Sequence, residues 1–153
     1  MDKFDVLKLE NQLCFPLYSV ANLITRNYKP FLDKIDLTYT QYITMMVLWE
    51  KGDINEKDLG NELFLKSNTL APLLQKLKKK EYITIKKDKN DGRNIIISLT
   101  KSGLDLREKA LDIPKSIAEK FHLTEDEAVT LYKILYKILK EEYYEELWCN
   151  FYW

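Results

Sequence analysis

The hydrophobic pattern changes period once along this chain, and that change decides most of what the chain can fold into. Leu70, Leu73, Leu74 and Leu77 recur at i, i+3, i+4 and i+7, a single apolar stripe on a helix that opens at Ser67. A few residues later the period becomes two. Tyr82-Ile83-Thr84-Ile85 and Ile95-Ile96-Ile97-Ser98-Leu99 flank Lys89-Asn90-Asp91-Gly92. Two β-branched runs around a Gly-containing loop predict a β-hairpin.

The elements before the hairpin give it a context. Thr38 with Gln41 three residues on is a capping-box pattern, predicting a helix that runs to about Glu50 and stops at Gly52. A short helix is expected from Asn55 to about Leu63, leaving three residues before Ser67. Helix, short helix, turn, helix and hairpin is the order of a winged helix-turn-helix. The predicted fold class is therefore mainly α with a small β-hairpin wing.

Further helices flank this unit. Leu13, Leu17, Val20 and Ile24 follow helical spacing from about Leu9 to Asp33. Pro16 cannot donate to the helix ladder, so the helix either begins close to Cys14 or kinks there. Thr100 is expected to cap a helix running to about Asp112, and Pro114 to mark a bend. Thr124 with Glu127 makes a second capping box, opening a last helix with Leu131, Ile134, Leu135 and Ile138. Tyr143 to Trp153 is rich in aromatics and Glu and has no clear period.

Length and composition fit one domain, or one compact module with an oligomerisation layer. No apolar run is long enough to cross a membrane and no leader pattern opens the chain, so a cytoplasmic location with no membrane partner is expected. Cys14 and Cys149 form no CxxC pair, and His122 is the single histidine. That set makes a poor zinc site, so no metal and no cofactor are expected. In a reducing cytosol both cysteines are thiols.

Charge singles out one segment. From Lys66 to Lys101 there are ten basic residues and three acidic ones, whereas the whole chain is formally neutral. A basic segment within a neutral chain is the footprint of phosphate binding, here double-stranded DNA. At 100° per residue, the side opposite the leucine stripe holds Asn68, Pro72, Gln75 and Lys79, with Ala71 and Lys76 flanking. Gln and Asn can bond adenine edges, and Ala or Pro can touch thymine methyls. Ser67 and Thr69 lie at the helix N-terminus, which favours phosphate. At the hairpin tip, Arg93 is placed to enter a minor groove with Asp91 steering its guanidinium. The competing reading of the lysines is an ordinary solvated face.

At Asp91-Gly92-Arg93-Asn94 and Leu99-Thr100-Lys101-Ser102-Gly103 the chain resembles the MarR family of winged-helix regulators. Three other stretches resemble its organic-hydroperoxide-sensing branch, the OhrR type. They are Leu9-Glu10-Asn11-Gln12-Leu13-Cys14-Phe15-Pro16-Leu17-Tyr18, Leu37-Thr38-Tyr39-Thr40-Gln41-Tyr42 and Ser67-Asn68-Thr69-Leu70-Ala71-Pro72-Leu73-Leu74. The resemblance runs from about Leu9 to Leu139. It implies a homodimer with interlocking N- and C-terminal helices that grips pseudo-palindromic operator DNA. On that basis residues 1–34 form a dimerisation and sensor helix, 35–100 the DNA-binding lobe, and 101–153 C-terminal dimerisation helices with the aromatic tail. It also implies a repressor of peroxide-defence genes that is released when an organic hydroperoxide oxidises Cys14. Tyr28 and Tyr39 would come from the partner subunit and hydrogen-bond the sulfur, with Tyr18 nearby.

The chemistry of such a switch is definite. A thiolate attacks peroxide and a thiol does not, so the site must favour the anion through hydroxyl donors or a helix N-terminus. Cys14, Tyr18, Ala21, Thr25 and Tyr28 share one helical stripe. Tyr18 is one turn from Cys14, but Tyr28 lies roughly 21 Å from Cys14 along a straight helix. Tyr28 therefore serves a cysteine only across a two-fold axis. Oxidation would give a sulfenic acid, with a low-molecular-weight thiol as an alternative second step.

Other readings stand beside this one. Cys14 can be a buried structural cysteine. Cys149 can be unrelated to sensing or act as a resolving thiol, and His122 reads as a surface or packing residue. The chain can also be a MarR-type regulator answering a small aromatic ligand, a cysteine-based peroxidase, or an interaction module using the aromatic tail. No catalytic triad or phosphate-binding glycine loop favours an enzyme.

Overall fold

The computed structural model describes residues 2–149. It is mostly helical, with one small antiparallel sheet. The elements are α1 (Cys14–Leu32), α2 (Tyr39–Lys51), β1 (Ile54–Asn55), α3 (Glu56–Leu63), α4 (Ser67–Lys79), β2 (Ile83–Lys87), β3 (Ile95–Leu99), α5 (Lys101–Ala110), α6 (Ile113–Ala118) and α7 (Glu125–Cys149).

The first helix is shorter than its periodicity predicts. Leu9–Asn11 forms a separate 3-10 turn, and regular α-helix begins at Cys14. Pro16 explains the start rather than a kink. It is the third helical residue, where an N–H has no intrahelical acceptor to lose. At the other end, Asp33–Ile35 is again a 3-10 turn.

Two predicted caps form as hydrogen-bonded units. The Thr38 hydroxyl accepts from the Gln41 N–H at 3.4 Å, and Gln41 Oε1 accepts from the Thr38 N–H at 3.1 Å. Thr124 and Glu127 repeat the exchange at the head of α7. Thr100 caps α5 by accepting from the Gly103 N–H at 3.0 Å. That helix ends at Ala110, and Pro114 sits in the first turn of α6, so the bend lies at Leu111–Asp112.

The hairpin registers Ile83 with Leu99 and Ile85 with Ile97. Strand β2 starts at Ile83 rather than Tyr82. The sheet has a third strand that periodicity does not reveal. Ile54 and Asn55 pair with Ile97 and Ile96, giving the order β1-β3-β2 and tying the wing root to the head of α3.

The buried core runs from Leu32 to Ile117. Leu70, Leu73, Leu74 and Leu77 turn inward against Leu59 of α3 and Met45 and Leu48 of α2, with Ile83 and Ile97 closing the sheet side. Fully burying each such side chain is worth about 1.5–3 kcal/mol. Most of α1 and the described side chains of α7 lie outside this core. Phe15, Leu17, Val20 and Leu23 of the first, with Leu13 just before it, and Leu131, Ile134, Leu135 and Ile138 of the second, are exposed on the single chain.

The helices end on unusual residues. Asp36, Phe64 and Glu81 all adopt left-handed backbone conformations, with φ of 53°, 52° and 61°. After each, a backbone N–H returns to the preceding helix: Leu37 to the Leu32 carbonyl, Leu65 to Gly60 and Tyr82 to Leu77. These are Schellman closures, for which glycine is the usual residue. No helix among the described residues is long and apolar enough to cross a membrane.

Candidate functional site

Two groups of residues carry the candidate chemistry, and helices α1, α2 and α4 connect them. The first is a tyrosine cluster at the corner between α1 and α2. Tyr28 and Tyr39 meet with ring centroids 4.9 Å apart at 59°, and Tyr42 joins Tyr28 at 5.7 Å and 43°. Tyr39 is placed by the capping box, which fixes it as the first residue of α2. Tyr28 sits one turn before the end of α1 and packs on α2, whereas Cys14, Tyr18, Ala21 and Thr25 of the same helical stripe are exposed on the single chain.

Burial pushes all three phenols above the ordinary tyrosine range. In Tyr28 the neighbouring Tyr39 adds to the effect. Tyr42 is raised to about 12, by burial first and then by Tyr28 and Tyr39. All three are therefore neutral O–H donors at physiological pH. None of the three hydroxyls has a hydrogen-bond partner among the described residues.

Cys14 lies at the opposite end of α1, as the first helical residue, and it is exposed on the single chain. The reading of Cys14 as a buried packing cysteine does not fit the isolated chain. Tyr18, one turn on, is also exposed. Tyr28 and Tyr39 come together as one pair, and Cys14 and Tyr18 lie one turn apart toward the other end of α1. Sequence reasoning missed Tyr42, whose spacing from Tyr39 places it one turn further along α2. The side chain of Cys149 lies outside those described, as do residues 150–153 of the aromatic tail.

The second group is the outer face of α4 with the hairpin tip. Ser67, Asn68, Thr69, Ala71, Pro72, Gln75, Lys76 and Lys79 are all exposed, while the leucine stripe of the same helix is buried. Pro72 lies inside the helix and leaves the Asn68 carbonyl without its usual N–H partner. In the first turn the Thr69 N–H bonds the Lys66 carbonyl at 3.0 Å, which leaves the Ser67 and Asn68 N–H groups without an intrahelical acceptor at the positive end of the helix dipole. A cavity of about 310 Å³ separates this face from the head of α2, lined by Thr38, Thr40, Gln41, Thr69, Pro72 and Lys76 among others.

At the tip, Asp91 organises the turn. Its carboxylate accepts from the Arg93 N–H at 3.1 Å and from Arg93 Nε at 3.2 Å, while its carbonyl accepts from the Asn94 N–H at 2.9 Å. The Arg93 side chain is 92% exposed and so is held by one carboxylate in open solvent. Strand pairing continues to Lys87–Ile95, and Asp88 N–H then bonds the Asn94 carbonyl at 2.8 Å.

The wing root is locked to the helices. Thr100 Oγ1 donates to the Glu81 carbonyl at 2.6 Å, and Trp49 Nε1 donates to the Gly103 carbonyl at 2.9 Å. A Cβ on Gly103 would lie 2.0 Å from the Tyr82 carbonyl oxygen. This close approach requires glycine at that point of the wing exit.

A leucine-striped helix with a polar outer face, a paired basic wing and a third strand at the wing root define a winged helix-turn-helix protein. The family model described as Transcriptional regulator SarA/Rot matches residues 26–110. An organic hydroperoxide resistance transcriptional regulator of Bacillus subtilis (strain 168) is 42% identical over 139 residues, covering 91% of this chain and 95% of that protein. The crystal structure of AbfR of Staphylococcus epidermidis superposes with a TM-score of 0.72 at 33% identity, over 91% of this chain and 96% of that one. Reduced AbfR bound to DNA gives 0.75 at 32% identity over the same shares. Overoxidized AbfR bound to DNA gives 0.74, and the disulfide form of AbfR gives 0.64. The chain belongs to the MarR-type winged-helix transcriptional regulators, in the group of the organic hydroperoxide resistance regulators.

Proposed function

We propose that this chain is a homodimeric, DNA-binding, redox-sensing repressor that leaves its operator when an organic hydroperoxide oxidises Cys14. The observation that carries this reading is the placement of Cys14. It heads a helix whose apolar side chains stand in water on the single chain, and the tyrosine pair waits at that helix's far end. Soluble monomers rarely leave contiguous apolar faces of this kind uncovered. A second copy covers α1 and α7. With the two α1 helices antiparallel across the two-fold axis, each Cys14 meets Tyr28 and Tyr39 of the partner subunit.

In that setting the chemistry balances simply. The neutral phenols donate to the Cys14 thiolate and stabilise it, and the N-terminal end of α1 adds its positive dipole end. The sulfur attacks the terminal peroxide oxygen and supplies the electron pair for the S–O bond. The O–O bond breaks, the departing alkoxide takes a proton and leaves as an alcohol, and Cys14 becomes a sulfenic acid. A low-molecular-weight thiol then condenses with the sulfenic acid, releasing water and leaving a mixed disulfide. AbfR is solved on DNA in its overoxidized form, which supports placing release at this second step rather than at oxygen addition alone.

The DNA half of the reading uses the residues exposed on α4 and the wing. Asn68, Ala71, Pro72 and Gln75 meet base edges, while Ser67, Thr69, Lys76 and Lys79 hold phosphates and Arg93 enters the minor groove beside Asp91. Two such lobes across a two-fold axis read two half-sites, and a change in their separation releases both. Reduced AbfR is solved on DNA, and the B. subtilis relative is a hydroperoxide resistance regulator, which supports the same role here. Working on operator DNA places the protein in the cytoplasm.

The test is a mobility shift on DNA from upstream of the protein's own gene, with and without cumene hydroperoxide and a low-molecular-weight thiol. Wild type is expected to release the DNA, and Cys14→Ser to bind and ignore the oxidant. Release by Cys14→Ser would rule out the cysteine mechanism.

A further inference from the structure

Lys80 differs from the lysines around it. Lys76, Lys78 and Lys79 of α4 are exposed, but the Lys80 side chain is only 27% exposed. It caps the C-terminus of α4 and reaches back across the fold to the corner between α1 and α2. Its Nζ lies 2.6 Å from the Asp36 carbonyl, 3.0 Å from Asp36 Oδ1 and 3.2 Å from Gln41 Oε1. An ammonium has three protons to donate, and these three acceptors engage all of them.

Each acceptor belongs to the structure that positions the tyrosine pair. Gln41 Oε1 also accepts from the Thr38 N–H, so one amide oxygen both caps α2 and holds Lys80. Tyr39 follows Thr38 directly and packs on Tyr28. Asp36 stands between the two helices in a left-handed conformation, which aims its carbonyl and carboxylate at the same ammonium. A shift of the first turn of α2 relative to α1 therefore moves the acceptors apart. Hydrogen bonds of this length fail within about an ångström of added separation.

We infer that Lys80 is the positioning residue through which the state of the tyrosine sensor reaches the DNA-reading helix. The inference rests on the proposed reading of Cys14 with Tyr28 and Tyr39. In the reduced protein the three-acceptor clasp holds α4 at a fixed angle to the α1–α2 corner. Oxidation changes what the tyrosine hydroxyls bond, the head of α2 shifts, the clasp opens, and α4 leaves the angle that fits two half-sites.

The experiment uses the full-length dimer and the same upstream DNA, with Lys80→Met, which keeps the stem and removes the charge, and Lys80→Arg. Three quantities are measured: operator Kd before oxidation, operator Kd after cumene hydroperoxide and thiol, and the rate of Cys14 oxidation followed by sulfenate trapping. Wild type is expected to lose affinity about 100-fold on oxidation, at the upper range of allosteric couplings. Lys80→Met is expected to oxidise at the wild-type rate yet change affinity by no more than about threefold, with part of the ratio restored in Lys80→Arg. Asp36→Asn supplies a second route that does not depend on Lys80→Met folding. Asn tolerates the left-handed conformation, and loss of the carboxylate alone should lower the ratio to about tenfold. A wild-type protein that keeps its DNA after oxidation overturns the sensing reading and this inference together. A wild-type protein that releases, with the full ratio preserved in Lys80→Met or in Asp36→Asn, overturns this inference alone.

Discussion

Tyr28 and Tyr39 meet across the α1–α2 corner with ring centroids 4.9 Å apart, and neither hydroxyl is hydrogen-bonded among the described residues. Ring packing places two neutral donors side by side and leaves both protons unused. Replacing either residue by Phe keeps the ring pair and removes one donor. Hydrogen bonds to a charged group contribute about 1.5–3 kcal/mol, so each change should slow Cys14 oxidation by about tenfold or more. Stopped-flow oxidation with cumene hydroperoxide measures this, with the melting temperature as a control. Wild-type rates in both Phe variants would remove the tyrosines from the sensor.

The raised phenol of Tyr42 gives a pH signature. Its pKa of about 12 in the fold exceeds that of an unfolded tyrosine near 10, so the folded protein holds its proton longer. Stability from this group is complete below pH 10 and is lost as the pH rises toward 12, because the unfolded chain ionises first. Tyr42→Phe should therefore lose less stability than wild type between pH 10 and 12. Paired denaturation curves across that range check it, and a flat difference between them would contradict the assignment.

On the DNA side, Arg93→Ala and Gln75→Ala should fail differently. Arg93, held by Asp91 at the wing tip, should matter across all sequences and most beside narrow A·T-rich grooves. Gln75, on the outer face of α4, should matter only at particular base pairs, at about 1–3 kcal/mol each. Binding to a panel of operator variants separates the two. Equal, sequence-blind losses would contradict both roles.

Gly103→Ala tests the wing root. The added methyl would lie 2.0 Å from the Tyr82 carbonyl oxygen and 2.9 Å from its carbon, and backbone atoms have little room to yield. Destabilisation of about 3 kcal/mol is expected. Denaturant unfolding at fixed protein concentration measures it, and a change below about 0.5 kcal/mol would mean that the helix and strand separate freely there.

Local chemistry made much of this architecture readable in the sequence. The Thr38–Gln41 and Thr124–Glu127 exchanges need only residues three apart, and the α4 stripe needs only a period. What the sequence concealed depends on distance or on an exception to local preference. Strand β1 is two residues long and exists because Ile97 lies opposite Ile54. Asp36, Phe64 and Glu81 close helices where glycine would announce the turn, so no sequence signal marks those corners. A resemblance names Tyr28 and Tyr39, whereas their ring contact, Tyr42 and the reach of Lys80 across 44 residues to Asp36 required the fold.

The apolar side chains left in water on α1 and α7 tie the protein's stability to its abundance. In the proposed dimer their burial is a bimolecular event, so the folded state would gain free energy by mass action as copies accumulate. The melting temperature should rise with protein concentration. On the proposed dimer, operator occupancy in a cell should fall more steeply than copy number, so a dose threshold would follow from the same surface that carries Cys14.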